Sequence, residues 1–146
     1  MALLGGGAGG SPNVVGGGSP AGVGTSLNYI GNHCYAFSGL IQVSDTLTTC
    51  LDFTTGNSYA TVELTLCGGA KHDGGTNTGC NTVFEIYLDG TRNLLVKVES
   101  INENMPAMEV VPILIPPFTR FKVPFISDVT TAGIFNSAAI TGEVYA

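Results

Sequence analysis

Residues 82–100 read TVFEIYLDGTRNLLVKVES and predict a β-hairpin. Apolar and polar side chains alternate on both sides of Asp89 and Gly90, which is the period of a half-buried strand. An Asp-Gly pair between two alternating runs is the strongest short-range signal for a tight turn, because both residues tolerate positive φ. An isolated hairpin is only marginally stable in water, so further strands must cover its apolar side. The side chains expected to face the core are Phe84, Ile86, Leu88, Leu94, Val96 and Val98.

The chain from Tyr29 onwards repeats this pattern and predicts an all-β domain. Residues 46–53 predict a strand with Leu47, Leu51 and Phe53 facing inward. Short alternating runs separated by turn residues, with no helical periodicity, are typical of a sandwich or barrel. We therefore expect about eight antiparallel strands. They are residues 35–43, 46–53, 59–66, the two arms of 82–100, 110–115, 119–125 and 138–145.

Two segments interrupt the alternation. Residues 67–81 read CGGAKHDGGTNTGCN and predict a long exposed loop, because the segment is rich in glycine and lacks apolar periodicity. Prolines 106, 112, 116, 117 and 124 punctuate the following strands. Since proline cannot donate to a sheet ladder, we expect these strands at sheet edges or at bulges.

Composition limits the classes of partner. The chain of 146 residues fits one domain that can bury a sizeable core. Its 5 Lys and Arg against 11 Asp and Glu give a net charge of −6, which argues against nucleic acid binding, since that requires a basic surface. No apolar run approaches the roughly 18 to 20 residues of a membrane helix, and MALLGGGAGG lacks the cationic start of a signal peptide. We expect neither a nucleic acid nor a membrane partner.

Residues 1–28 differ in composition from residues 29–146 and predict an N-terminal arm. Ten glycines occur by Gly24, and such a chain lacks the side chains to form a core of its own. A disordered linker is the alternative, but no charged residue precedes Asp45 to keep the arm solvated. We expect the arm to dock onto a partner. Its apolar anchors are Leu3, Leu4, Val14, Val15 and Val23.

Apolar residues exceed what one sandwich can bury, which predicts a homotrimer. Aromatic residues are enriched at the cores of protein interfaces and charged residues are depleted there. Homo-oligomers generally close by symmetry. The proline-rich strand at 110–125 offers a further edge for the interface. The interface candidates at outward or loop positions are Tyr35, Phe37, Tyr87, Phe118 and Tyr145.

The four cysteines show no CxxC pair. Cys67 and Cys80 flank one predicted loop and can approach each other, so they are candidates for a disulfide, with free thiols as the alternative. Cys34 and Cys50 are expected to be small core residues. Together with His72 and Asp73, the pair at 67 and 80 has metal-binding atom types, but the spacing matches no standard zinc module and we predict no metal. His33 is interpreted as a polar residue at a strand end.

Enzyme motifs are missing from the sequence. It has no G-x-S-x-G elbow, no HExxH pair and no P-loop lysine, so no catalytic residues, cofactor or enzymatic activity are expected. The carboxylates of Asp45, Asp52, Glu63 and Glu85 fall mostly at outward or loop positions, which suits solvated groups.

Five short motifs resemble small structural proteins of aquatic tailed phages. They are YAFSG at 35–39, LDFTTGN at 51–57, YLDG at 87–90, IPPFT at 115–119 and TGEVY at 141–145. The resemblance covers roughly residues 29–146 and is to single jelly rolls of the decoration, or cement, class. It implies a jelly-roll β-sandwich, a virion protein made in the host cytoplasm, and the major capsid protein as partner.

The sequence therefore favours a non-enzymatic capsid decoration protein. We expect a trimer that binds the outer capsid surface and stabilises the head through its arm, which docks onto the major capsid protein or onto a neighbouring copy. The alternative is a receptor- or carbohydrate-binding head of a fibre or tail appendage, because jelly rolls commonly bind sugars. Tryptophan is absent, so the tyrosines would have to supply the stacking platform for a sugar. They are Tyr29, Tyr35, Tyr59 and Tyr87.

Overall fold

The computed structural model of the protein describes residues 27–71, 79–100 and 107–145. Within these ranges the chain forms ten β-strands and no helix. Nothing there has the helical length and apolarity needed to span a membrane. The strands are β1 Asn28–Ile30, β2 His33–Phe37, β3 Ile41–Gln42, β4 Thr48–Thr54, β5 Tyr59–Lys71, β6 Cys80–Leu88, β7 Thr91–Ser100, β8 Ala107–Ile115, β9 Arg120–Ser127 and β10 Ile134–Tyr145.

The strands form two antiparallel sheets. The six-stranded sheet has the order β1-β2-β10-β5-β8, with β3 also paired to β10, and the four-stranded sheet has the order β4-β9-β6-β7. Four strands in the order β2-β10-β5-β8 packed on four in the order β4-β9-β6-β7 are the pattern of a jelly roll. The predicted fold class is therefore confirmed. The expectation of one strand at 35–43 is wrong, because the chain leaves the strand at residues 38–40, where Gly39 has a φ of 70°, and so forms β2 and the short β3. The short β1 adds to the expected strands.

The core lies between the two sheets. Four phenylalanines of the four-stranded sheet are fully buried, and their rings contact in pairs, with centroids 5.2 Å apart for Phe53 and Phe121 and 5.9 Å apart for Phe84 and Phe125. The six-stranded sheet covers these rings with small and aliphatic side chains. They include Ala36, Ala60, Val62, Leu64, Leu66, Ala138, Ile140 and Val144.

The β6–β7 hairpin forms where the sequence predicts it. Asp89 and Gly90 have φ values of 48° and 79°, as a two-residue primed turn requires. Of the six side chains expected inward, the expectation for Leu94 is wrong, because it is 44% exposed. Leu94 lies opposite Ile86, but β7 is an edge strand and an extra residue, Asn93, bulges between this pair and the turn.

A second bulge changes the expected faces of β4. Thr49 and Leu51 pair with Pro124 and Val123, which are adjacent in β9, so Cys50 is the extra residue of the bulge. As a result, Cys50 and Leu51 are both buried. The expectation that Leu47 faces inward is wrong, because it precedes β4 and is 53% exposed. Alternation counted back from Phe53 fails at the bulge, since one extra residue reverses the side of every residue before it.

Strand β5 is longer than the alternation predicts. It continues through Lys71, so residues 67–71 belong to the six-stranded sheet and the expectation of a loop there is wrong. Gly68 and Gly69 are buried under β6 and β7, where Gly69 lies against Ser100 and Cys80. Glycines carry no apolar periodicity, which is why the pattern does not reveal this part of the strand. Residues 72–78 lie outside the described residues.

The two proline-containing strands differ in position. Strand β8, with Pro112, is at the edge of its sheet, as expected. Strand β9, with Pro124, lies inside its sheet, between β4 and β6. Pro124 pairs with Thr49 at the bulge in β4, so the proline occupies a position where the ladder is already interrupted.

Candidate interaction surface

The outer face of the four-stranded sheet is charged, and most of its charges are paired. Arg120 donates two hydrogen bonds to Asp52, from Nε to Oδ1 at 2.9 Å and from Nη2 to Oδ2 at 2.7 Å. Arg92 Nη1 lies 3.1 Å from Oε1 of Glu85. These pairs are on the solvent side of the sheet, where ion pairs contribute little to stability but keep a surface hydrated.

The ionisation of this face follows from its pairing. The hydrogen bonds from Arg120 hold the pKa of Asp52 below its usual range. The hydroxyl of Tyr87 donates to Glu85, and this hydrogen bond raises the pKa of Tyr87. At neutral pH Asp52 therefore stays ionised and Tyr87 stays uncharged.

The outer face of the six-stranded sheet is apolar in comparison. We call this surface the apolar face and define it by the outward side chains of β1, β2, β5, β8 and β10. Burial alternates along these strands, so the register places the outward residues of neighbouring strands side by side. The large side chains on it are Ile30, Tyr35, Phe37, Tyr59, Met108, Val110, Leu114 and Tyr145.

Positive charge is almost absent from the six-stranded sheet. Among the described residues, every arginine and every lysine except Lys71 lies in β7 or β9, which belong to the four-stranded sheet. Lys71 is the last residue of β5. Exposed apolar side chains grouped on one face, with few charges among them, are typical of an interaction site.

Aromatic rings form two pairs on the apolar face. Tyr59 and Tyr145 stack with centroids 5.2 Å apart, and Tyr35 and Phe37 lie 5.6 Å apart. The hydroxyl of Tyr145 donates to Oε2 of Glu143 at 2.6 Å, which raises the pKa of this tyrosine. This hydrogen bond orients the Tyr145 ring, on which Tyr59 stacks.

A shallow groove crosses the middle of the apolar face. Glu63 and Glu143 line it together with Thr61, and Leu114 forms part of its wall. His33 Nδ1 lies 4.0 Å from Oε1 of Glu143. The groove thus combines an apolar wall with carboxylate oxygens that accept hydrogen bonds.

The structure brings together three of the five residues predicted for the trimer interface. Tyr35, Phe37 and Tyr145 lie on the apolar face, whereas Tyr87 lies on the charged face of the four-stranded sheet. Phe118 is in the turn between β8 and β9, exposed and with a φ of 54°. The role of all five in a trimer stays a prediction.

Sequence reasoning named the proline-rich strand at 110–125 as a further edge for the trimer but did not identify which side chains of β8 point outward. Met108, Val110 and Leu114 point outward on the apolar face, next to Thr65 and Thr61 of β5. The signal in the sequence was the almost uninterrupted apolar run at 110–115, which exceeds the one-sided alternation of a half-buried strand.

The cysteines are free thiols in the structure. Cys34 and Cys50 are core residues, as expected, and burial raises the pKa of each thiol to about 12. Cys67 lies in β5 of one sheet and is half-buried, whereas Cys80 begins β6 of the other sheet and is buried. A disulfide between Cys67 and Cys80 stays a prediction.

The other predicted sites lie largely outside the described residues. His72 and Asp73 are among them, as are the arm anchors at residues 3, 4, 14, 15 and 23. In the described ranges, no three His, Cys, Asp or Glu side chains are grouped closely enough to hold a metal ion.

Comparison with known proteins yields only distant structural similarity. No family model matches the chain, and no curated protein matches it. The chain is similar to part of the structure of infectious bursal disease virus Gx strain, with 16% identity, a TM-score of 0.42, and coverage of 86% of this chain and 36% of that one. For the T13 particle of the same virus, the identity is 17%, the TM-score 0.41, and the coverage 92% and 36%.

A further structure of this virus, of the Gt strain, has 16% identity and a TM-score of 0.39, with coverage of 86% and 36%. The chain therefore spans about a third of the length of the viral chains that it resembles. Similarity at this level assigns neither a family nor a function.

Proposed function

We propose that the protein is a non-enzymatic structural component of a virion, a decoration protein that binds the outer surface of the capsid. The observation that carries the proposal is the contrast between the two outer faces of the sandwich. One presents paired charges and suits solvent, and the other presents exposed apolar side chains almost free of positive charge. A protein with this asymmetry is suited to lie between a surface and solvent.

The sequence indicates which kind of partner surface the protein binds. The motifs at 35–39, 51–57, 87–90, 115–119 and 141–145 resemble those of phage decoration proteins. The major capsid protein is therefore the proposed partner, and the proposed assembly is a trimer whose arms strengthen the head.

In this proposal the arm strengthens the attachment by docking onto the capsid or onto a neighbouring copy of the trimer. Residues 1–28 contain few apolar side chains and no charged ones. Ordering such a segment costs about 1 to 2 kcal/mol per residue, so the contact of a single arm is weak. Occupancy of the capsid then depends on several arms of one trimer binding together.

Deletion of residues 2–24 tests the proposed attachment. We expect the truncated protein to fold with the circular dichroism spectrum and the unfolding midpoint of the full chain, because the deleted residues precede the described jelly roll. Mixed with undecorated capsids of its virus, the full chain should bind in hundreds of copies per particle and the truncated chain should not. Full occupancy by the truncated protein would contradict the proposal.

A carbohydrate-binding head of a fibre is the second candidate. The stacked rings of Tyr59 and Tyr145, beside the carboxylate of Glu143, are the groups that a sugar ring contacts in many binding sites. Copy number on purified particles separates the two functions, since decoration requires hundreds of copies and fibre heads number a few dozen or fewer. Loss of glycan binding on Tyr145→Ala would support the fibre-head function.

A further inference from the structure

The apolar face lacks a partner within the described chain. Its exposed residues Phe37, Val110 and Leu114 point away from the core, and no described segment covers them. Exposed apolar area of this kind is usually covered in the functional assembly.

The residues that line the groove on this face indicate which chemical groups the covering segment carries. The carboxylates of Glu63 and Glu143 and the hydroxyl of Thr61 line it, so it is rich in hydrogen-bond acceptors. An extended peptide that brings backbone N–H groups close to these oxygens, and small apolar side chains to Leu114, fits both parts of the groove. Acidic side chains would be repelled by the two glutamates.

Residues 1–26 of the protein have these properties. They contain no acidic side chain, and their glycines let the backbone approach a surface closely. Their apolar side chains, among them Val14, Val15 and Val23, are small enough for a shallow groove. The segment also joins the described chain at Leu27, beside the edge strand β1 of the same sheet.

The reach of the segment favours a second copy over the same copy. Leu27 is fully buried and therefore fixed, and Leu4 precedes it by 23 residues. Extended chain advances about 3.3 Å per residue, which gives a reach of roughly 76 Å. Five strands about 4.8 Å apart and a 12-residue β10 make the face roughly 20 Å wide and 40 Å long. An extended arm overshoots its own sheet.

We infer that the apolar face of one copy binds residues 1–26 of a neighbouring copy, with the arm backbone on Glu63 and Glu143 and its apolar side chains near Leu114. This inference deepens the proposed function and rests on it for the trimer. It also names the surface that the arms use, because each arm would tie its own jelly roll to the next one in the ring.

Photo-crosslinking in the absence of capsids tests the inference. A benzophenone amino acid replaces Leu114 on the apolar face or, as a matched control, Leu95 on the charged face. The two leucines are 55% and 59% exposed and lie in the edge strands β8 and β7. Mixing ¹⁵N-labelled and unlabelled chains distinguishes crosslinks between copies from those within one copy.

We expect position 114 to crosslink to residues 1–26 of the other isotope, and position 95 to give no such product. Crosslinks confined to one isotope would show that the arm covers its own sheet. Crosslinks to the apolar face of another copy would show direct packing of the two faces. Either product, or none, would overturn the inference.

A pair of charge substitutions provides the second measurement. Leu114→Glu adds a third carboxylate beside the groove, and we expect it to weaken self-association of the full chain by at least about tenfold. Leu95→Glu should leave self-association within about twofold, because Leu95 is on the opposite face. Both sites are exposed, so both variants should fold. Equal effects of the two substitutions on sedimentation would contradict the inference.

These measurements test the inference, whereas the capsid experiment tests the proposed function, so a failure of one can be distinguished from a failure of the other. A chain that self-associates through its arm but does not decorate capsids would disprove the proposed function and keep the inference. A chain that decorates capsids as a trimer, with no crosslink from position 114 to an arm, would disprove the inference and keep the proposed function.

Discussion

Burial controls the chemistry of the cysteines. Cys34 and Cys50 are almost completely inaccessible, and their thiol pKa values of about 12 leave almost no thiolate at neutral pH. Burial also raises the pKa of Cys67, but this residue is half-buried and its side chain is on the outer side of β5. The four thiols should therefore differ sharply in reactivity.

Thiol labelling measures this difference. With iodoacetamide at pH 8 in the reduced native protein, we expect Cys67 to react first, and Cys34 and Cys50 to react at least about a hundredfold more slowly. All four should react alike in guanidinium chloride, which is the control. Labelling of Cys34 at the rate of Cys67 would contradict the packing of β2 against the core.

The predicted Cys67–Cys80 bridge is tested on the same residues after oxidation. If it forms without strain, a disulfide closing this short loop stabilises by about 3 kcal/mol in the loop-entropy model. Non-reducing peptide mapping of released particles should then recover the two cysteines in one linked peptide. Free thiols at both positions would contradict the predicted disulfide.

At the scale of strands, the ion pair between Asp52 and Arg120 links the edge strand β4 to β9. Because Arg120 lowers the pKa of Asp52 in the folded state, the pair stabilises the fold above the unfolded-state pKa of about 3.9. This contribution disappears as the pH falls through the folded-state pKa of Asp52.

Asp52→Asn should therefore lower the free energy of unfolding by a small amount at pH 7 and leave it unchanged well below pH 3. Urea unfolding at several pH values measures the difference between the two proteins. Asp45→Asn is the control, since Asp45 is an exposed residue outside the strands. A difference that persists undiminished into strong acid would contradict the assignment.

Alternation predicted most strands because each has one buried side. The inward residues of β5 and β9 and the turn at Asp89 follow directly from the sequence. It failed at Leu47 and Leu94, where bulges and edge positions intervene. A bulge depends on the partner strand, and exposure at an edge depends on the size of the opposite sheet, so neither can be deduced from a local pattern.

At the scale of the whole molecule, the main feature is the separation of charge between the two outer faces. The sequence indicates an excess of apolar residues but not where they gather. Residues Tyr35, Tyr145 and Leu114 are distant in sequence and share a face only through the order of strands in the sheet. The sequence therefore predicted that exposed apolar residues exist, and it identified three residues of the apolar face by name. It did not predict that these residues lie together on one face.

Cryo-microscopy of intact particles carrying the protein tests the central claim directly, because it shows which face of the jelly roll is covered. We predict that the four-stranded sheet, with Arg92 and Arg120, faces solvent and that density from the arm of a neighbouring copy covers Phe37, Val110 and Leu114. Particles in which these three residues face solvent, while the four-stranded sheet contacts the capsid, would contradict the account.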